Sequence, residues 1–106
     1  MSAVAELTVI RWRDIPAQVT AKRGRESARV QLTDRFQEAI DAAATSIGLI
    51  GTDDYLAEWD RDSRPCGDDL EAEAGSEAER IEEAHSDEVL RTMIRNGGRR
   101  PDGGAA

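Results

Sequence analysis

The chain has 106 residues and a formal net charge of −8 at pH 7. This length suits one small domain, and the charge disfavours a protein that must neutralise phosphates or adhere to anionic lipid. The acidity lies in the second half, because residues 1–50 hold seven basic and six acidic side chains whereas residues 51–106 hold seven and sixteen. No apolar run approaches membrane-spanning length and the single cysteine forms no internal disulfide, so we expect a cytoplasmic, non-secreted protein.

Three short segments with alternating side chains predict an antiparallel meander. The stretch ELTVIRWR at 6–13 carries large side chains on both faces, which is typical of a central or doubly covered strand. Pro16 biases the residue before it towards an extended or turn conformation, so the strand should break before AQVTAK at 17–22. Gly24 favours a tight connection to ARVQL at 28–32.

Apolar residues at helical spacing follow the meander. Asp34 opens a sequence that resembles a capping box, with Thr33 as the alternative cap, and predicts a helix over residues 34–47. Thr52 can cap a second helix that ends near residue 60. Both helices should pack on the sheet.

The second half is predicted to be less ordered. Acidic residues, two glycines and a proline indicate a flexible acidic linker over residues 63–80, followed by an amphipathic helix at 81–96 and a disordered tail at 97–106. The predicted fold class is therefore α+β. It comprises a small antiparallel three-stranded meander and two helices packed on it within residues 1–62, then the acidic linker and a short C-terminal helix.

Catalytic candidates are few. The only histidine, His85, has acidic neighbours and is expected to be an exposed helix residue. Cys66 has Arg64 close by, but three nearby acids oppose a thiolate, and one histidine with one cysteine cannot complete a usual zinc site. Asp53 and Asp54 suit the first turn of a helix, where carboxylates favour the macrodipole. We therefore expect a non-enzymatic protein with no catalytic residue, no metal and no cofactor.

The arginines come closest to a binding surface. Arg11 and Arg13 flank Trp12 and are predicted to share an outward face about 7 Å apart, with Trp12 in or at the edge of the core. They would contact an acidic partner or a nucleotide backbone, or else pair with acids on neighbouring strands. An apolar stripe on the C-terminal helix would enter a groove of the partner. The candidate partner-binding residues are Arg11, Trp12, Arg13, Arg29, Leu90, Met93 and Ile94.

Two alternatives stay open. The order strand, helix, helix over residues 28–59 fits a ribbon-helix-helix DNA-binding regulator, in which Arg29, Gln31 and Thr33 would enter the major groove. A net charge of −3 over residues 1–60 and two preceding strands oppose this interpretation. The other alternative is a small-ligand-binding protein whose site uses the two strand arginines and a carboxylate.

Three segments resemble a small bacterial family catalogued as virulence factor domain proteins: IRWRDIPAQV at 10–19, VQLTDRFQEAIDAAA at 30–44 and DDYLAEW at 53–59. The resemblance covers about the first 60 residues and brings no catalytic motif. The same domain is similar to one at the end of a helical-repeat protein in some firmicutes, and short members lie beside genes for folate- and corrinoid-linked methyl transfer. The resemblance therefore implies an accessory or interaction role, with another protein as the partner rather than nucleic acid or a membrane.

Overall fold

A computed structural model gives the structure of residues 4–100. The strands in this range are β1 (Glu6–Trp12), β2 (Ile15–Arg23), β3 (Glu26–Gln31) and β4 (Trp59–Pro65). They form one antiparallel sheet in the order β3-β2-β1-β4. The helices are α1 (Asp34–Ser46), α2 (Asp53–Ala57), α3 (Leu70–Ala84) and α4 (Asp87–Arg95). The α+β class is confirmed, with four strands and four helices in the described residues.

The first three strands and α1 lie close to their predicted positions. Pro16 falls inside β2 rather than before it, opposite a register shift between Ile10 and Arg11 of β1. A shift of this kind accommodates a residue that has no N–H to give to the ladder. Thr33 is the N-terminal cap residue of α1, and α2 is only five residues long because Trp59 already belongs to β4.

The segment predicted to be an acidic linker, residues 63–80, is folded. It contains the end of β4, which pairs with β1 over all seven of its residues, and most of α3. The predicted three-stranded sheet and linker were therefore wrong. The strand sequence WDRDSRP has no apolar alternation, because β4 is an edge strand whose side chains stay largely exposed. The predicted helix at 81–96 is likewise divided between α3 and α4 by a break at His85 and Ser86.

The helices α1 and α3 cover one face of the sheet. Alternating residues of β1 and β2 point into this layer, among them Leu7, Val19 and Ala21, and all three are buried. α3 lies against β2 and β3, while α4 packs on α1. Residues 97–100, assigned by the sequence to a disordered tail, form a turn in which Gly97 and Gly98 are buried. The remainder of that predicted tail lies outside the described residues.

Glu82 joins α3 to the start of α1. Its carboxylate accepts hydrogen bonds from the Thr33 backbone N–H at 2.7 Å, the Thr33 hydroxyl at 3.0 Å and Arg35 Nη2 at 2.9 Å. Burial alone would raise the pKa of Glu82, but these donors outweigh it and hold the pKa below its usual value. Since the Thr33 side chain makes no capping hydrogen bond, Glu82 is the group that fixes this end of α1.

His85 is buried, with 4% of its surface exposed, so the expectation of an exposed helix residue was wrong. Its Nδ1 donates to the Ile81 carbonyl oxygen at 2.8 Å, because a carbonyl only accepts, and its ring meets Phe36 edge-on with centroids 5.6 Å apart. Burial lowers the pKa of His85, since desolvation disfavours the imidazolium. Arg100 and Arg35 act in the same direction, whereas the Ile81 carbonyl and Glu82 oppose it.

The stability of the fold should fall on acidification through the titration of His85. A lowered folded-state pKa means that the neutral ring contributes fully above the unfolded pKa of about 6.5, and that this contribution is lost as the pH falls through the folded value. Urea unfolding at pH steps between about 5 and 7.5 should give a slope of at most about 1.4 kcal/mol per pH unit. His85→Gln should flatten that slope, whatever its overall stability. If the His85→Gln variant keeps the wild-type slope, the pH dependence of stability arises from carboxylates and not from His85.

Candidate functional site

Arg13 lies in the turn between β1 and β2, not on the strand face predicted for it. Its backbone has φ +53°, in the left-handed region that residues with a side chain rarely adopt. Its Nε lies 2.8 Å from Glu58 Oε1, its Nη1 donates to the Gly97 carbonyl oxygen at 3.1 Å, and its guanidinium lies 5.3 Å from the Trp12 ring centroid. These contacts make Arg13 the residue that holds this turn against two distant parts of the chain.

Trp12 is fully buried, which confirms its predicted place in the core. Its indole Nε1 donates to the Tyr55 carbonyl oxygen at 2.9 Å, and the two rings stack with centroids 5.6 Å apart. Because the indole donor and the ring faces are used inside the domain, Trp12 does not offer a surface to a partner. The RWRD segment therefore serves mainly to position the sheet on α2.

The apolar stripe of α4 also packs inside the domain. Leu90 and Met93 are 3% and 1% exposed, and α4 lies on α1. The prediction that this stripe is free to enter a partner's groove was wrong, because α4 is part of the fold and not an appendage beyond a linker. Ile94 is half-buried and lines a shallow cleft between α1 and α4.

Arg11 and Arg29 lie on opposite faces of the sheet. Arg11 faces the helix layer and pairs with Asp62 across β1 and β4, with 2.8 Å between Arg11 Nη2 and Asp62 Oδ2. Arg29 faces away from the helices, in one row with Thr20, Thr8 and, on β4, Ser63. Whether either arginine contacts a partner stays a prediction.

We call the sheet surface that carries Arg29 the open face. It consists of alternating residues from all four strands, and none of them is buried: Glu6, Thr8, Ile10, Gln18, Thr20, Lys22, Ser27, Arg29, Gln31, Arg61, Ser63 and Pro65. The Thr8 and Ser63 hydroxyl oxygens lie 2.8 Å apart, which confirms that these side chains share one surface. Three cations and one carboxylate make this face positive in a chain whose net charge is −8.

A second polar feature lies on the helix side of the sheet. We call it the arginine cleft: it has a volume of about 200 Å³ between β1, β4 and α3. Glu77 of α3 lies within it and is 93% buried at its side chain, since only 7% is exposed. Arg64 of β4 and Arg80 of α3 both donate to this carboxylate, from Nη2 and Nε respectively, each at 3.1 Å.

The described residues also bear on three other kinds of site, namely a metal centre, a membrane span and a reactive thiol. Between residues 4 and 100, no three His, Cys, Asp or Glu side chains are grouped to hold a metal ion. The helices in that range are all too short or too polar to cross a bilayer. Burial, with Glu73 nearby, raises the pKa of the Cys66 thiol, which disfavours the thiolate as expected from its acidic neighbours.

The family model described as "Virulence factor" matches residues 10–94. The chain belongs to the virulence factor family. The match extends from β1 to α4, so it reaches well beyond the first 60 residues to which the resemblance was assigned. Searches of the curated proteins and of the solved structures returned no match.

In this virulence factor domain, the strand-helix-helix unit does not stand alone as a DNA-binding ribbon would. β3 pairs with β2 in the chain's own sheet, and α2 has five residues.

Sequence reasoning found Arg29 but missed Arg61, which lies on the open face, and Glu77, which organises the cleft. Glu77 falls in the supposed linker, and Arg61 lies just before it, where no strand was predicted. The two-residue spacing of Arg61 and Ser63 was the only sequence signal for a strand there.

Proposed function

We propose that this virulence factor domain is a non-enzymatic interaction module that binds an acidic protein surface through its open face. We further propose that it works in the cytoplasm as an accessory protein, supporting one-carbon or corrinoid-linked methyl-transfer enzymes or virulence. The observation that carries the first proposal is the charge of the open face, which is positive in an otherwise acidic chain. The methyl-transfer part rests on the family resemblance alone.

The chemistry of the open face supports a protein partner. Within residues 4–100, neither Arg29 nor Arg61 forms an ion pair, so both guanidinium groups can serve an external carboxylate. Arginine donates in a planar fork that matches a carboxylate, and it is enriched in protein interfaces. The hydroxyls of Thr8, Thr20 and Ser63 lie between the two arginines and supply further hydrogen bonds.

Nucleic acid fits this surface less well. The two aromatic residues that follow the same alternation at one end of β1 and β4, Trp12 and Trp59, both pack against Tyr55, so neither is free as a stacking platform for a base. The chain is also acidic overall. An acidic protein surface would complement the positive open face. Such complementarity speeds association and disfavours partners of like charge. The acidic remainder of the chain therefore favours an orientation in which an acidic partner meets the open face.

Charge reversal on the open face should abolish binding without unfolding the domain. The test is affinity capture from the host's lysate with the wild-type chain, Arg29→Glu/Arg61→Glu, and the matched control Arg91→Glu/Arg95→Glu. The control makes the same change in net charge on exposed residues of α4. We expect proteins captured by the wild type and the control to be lost from the open-face variant.

Retention of the same proteins by the open-face variant would contradict the use of this surface. The identity of the captured proteins tests the second proposal separately. An enzyme of one-carbon or corrinoid-linked methyl transfer among them would support the accessory role, whereas a partner of another class would remove that part and leave the interaction module. Circular dichroism melts of all three proteins check that the comparison is between folded chains.

A further inference from the structure

The arginine cleft lies on the opposite side of the sheet from the open face. Alternate residues of the paired strands β1 and β4 line one side of the cleft, and residues on one face of α3 line the other. The lining residues are Leu7, Val9, Arg11, Asp14, Pro16, Asp62, Arg64, Glu77, Arg80, Ile81, Ala84, His85 and Arg100. Four guanidinium groups thus meet three carboxylates, and burial keeps His85 neutral, so the cleft is positive within an acidic protein.

Buried Glu77 orders the two arginines on the outer side of the cleft. Its carboxylate receives Arg64 from the sheet and both Nε and Nη2 of Arg80 from the helix. Asp62, which is itself largely exposed, accepts one hydrogen bond from Arg11 Nη2 at 2.8 Å. Ordered guanidinium groups lose little conformational freedom when a ligand binds, which is the condition for binding a small ion with useful affinity.

The arginines keep donors for a further acceptor. A guanidinium has five N–H groups. Among the described residues, Arg11 and Arg64 each donate one hydrogen bond, to Asp62 and Glu77 respectively. An oxyanion placed between them would take up donors that the internal carboxylates leave unused, and charge-assisted hydrogen bonds of this kind are among the stronger ones in proteins.

The size and floor of the cleft limit what it can hold. Its volume of about 200 Å³ is below the range of roughly 300–1,000 Å³ that is typical of pockets for drug-sized ligands. The floor contains the aliphatic side chains of Leu7, Val9 and Ile81, which suit a short hydrocarbon body. We propose that the arginine cleft binds a small organic oxyanion, a short carboxylate or a phosphate ester.

The proposal is tested by titrating the full ¹⁵N-labelled chain with succinate, inorganic phosphate and the neutral diamide of succinate, at constant ionic strength. Succinate or phosphate should produce saturable amide shifts confined to the lining of the cleft, on β1, β4, α3 and the adjoining residues Asp14, His85 and Arg100. The anion that binds more tightly identifies the head group. The diamide should produce none. Shifts spread over every basic residue, or no saturation with either anion, would overturn the proposal.

Variants separate a ligand site from a structural ion-pair cluster. Arg64→Gln should weaken anion binding about tenfold, as loss of one charge-assisted hydrogen bond implies. Arg25→Gln makes the same charge change on an exposed turn and should leave the affinity within about twofold. Equal losses in both variants would overturn the proposal. Arg11→Gln repeats the measurement from the other side of the cleft in case Arg64→Gln disturbs the fold.

Discussion

A chain that ends at residue 62 should not fold. The truncation removes the last three residues of β4 together with all of α3 and α4. It therefore uncovers the sheet face under α3 and the flank of α1 on which α4 packs. The large buried side chains that it deletes are Leu70, Ile81, Leu90 and Met93. At about 1.5–3 kcal/mol for each buried aliphatic side chain, the loss is on the order of 10 kcal/mol, comparable to the whole stability of a small domain.

Circular dichroism and amide-proton dispersion measure this directly. We expect the 1–62 chain to give no cooperative melt and a narrow amide spectrum, while a matched chain ending at residue 100, which keeps every described element, should melt like the full protein. A cooperative melt of the shorter chain would mean that α3 and α4 are dispensable, and it would restore the interpretation of residues 63–80 as a linker.

Replacing Gly98 by alanine should destabilise the protein by about 3 kcal/mol. Its φ of +93° is strained for any residue with a Cβ, and an added Cβ would lie 2.8 Å from Trp12 Cζ3 and 3.1 Å from Cε3. Trp12 cannot withdraw, because it is fully buried and its indole is hydrogen-bonded to Tyr55. The Asp14 N–H also donates to the Gly98 carbonyl oxygen at 2.9 Å, so a displaced backbone would loosen the turn after β1.

Gly75→Ala is the matched control. Gly75 lies within α3 and nothing stands within 4 Å of the position that its Cβ would take. Alanine there should stabilise the helix by roughly 0.5–1 kcal/mol, since it lowers the entropy of the unfolded chain. Urea unfolding of both variants therefore gives opposite signs for the same chemical change. A Gly98→Ala protein as stable as the wild type would show that the packing of this turn on Trp12 is not restrictive.

The sequence predicts the elements whose buried side chains are apolar and regularly spaced. α1 has Phe36, Ile40 and small alanines on one face, and β2 alternates Val19 and Ala21, so both were predictable. β4 was not, because the side chains that it turns towards the helix layer are Asp62 and Arg64, which line the arginine cleft instead of an apolar core.

α3 escaped prediction for a related reason. Its buried face is built from small residues such as Ala74 and Ala78, and it includes the charged Glu77, so the hydrophobic pattern is weak in a strongly acidic stretch. The candidate site residues also fall into those that a local pattern predicts and those that it does not. Alternation alone places Arg29 on an outward face, whereas the role of Arg13 depends on contacts with Glu58 and Gly97 that no local pattern encodes.

The turn held by Arg13 has a consequence for the order of events in folding. Its contact with Gly97 joins residues 84 positions apart, so nearly the whole chain must be gathered before the left-handed backbone at Arg13 gains its support. Closing such a long loop has an entropic cost that only native packing can offset, and contacts of this range slow folding. The β1–β2 hairpin should therefore reach its final form only when the C-terminal turn at Gly97 docks on it. The two ends of the domain should then complete their folding in the same step.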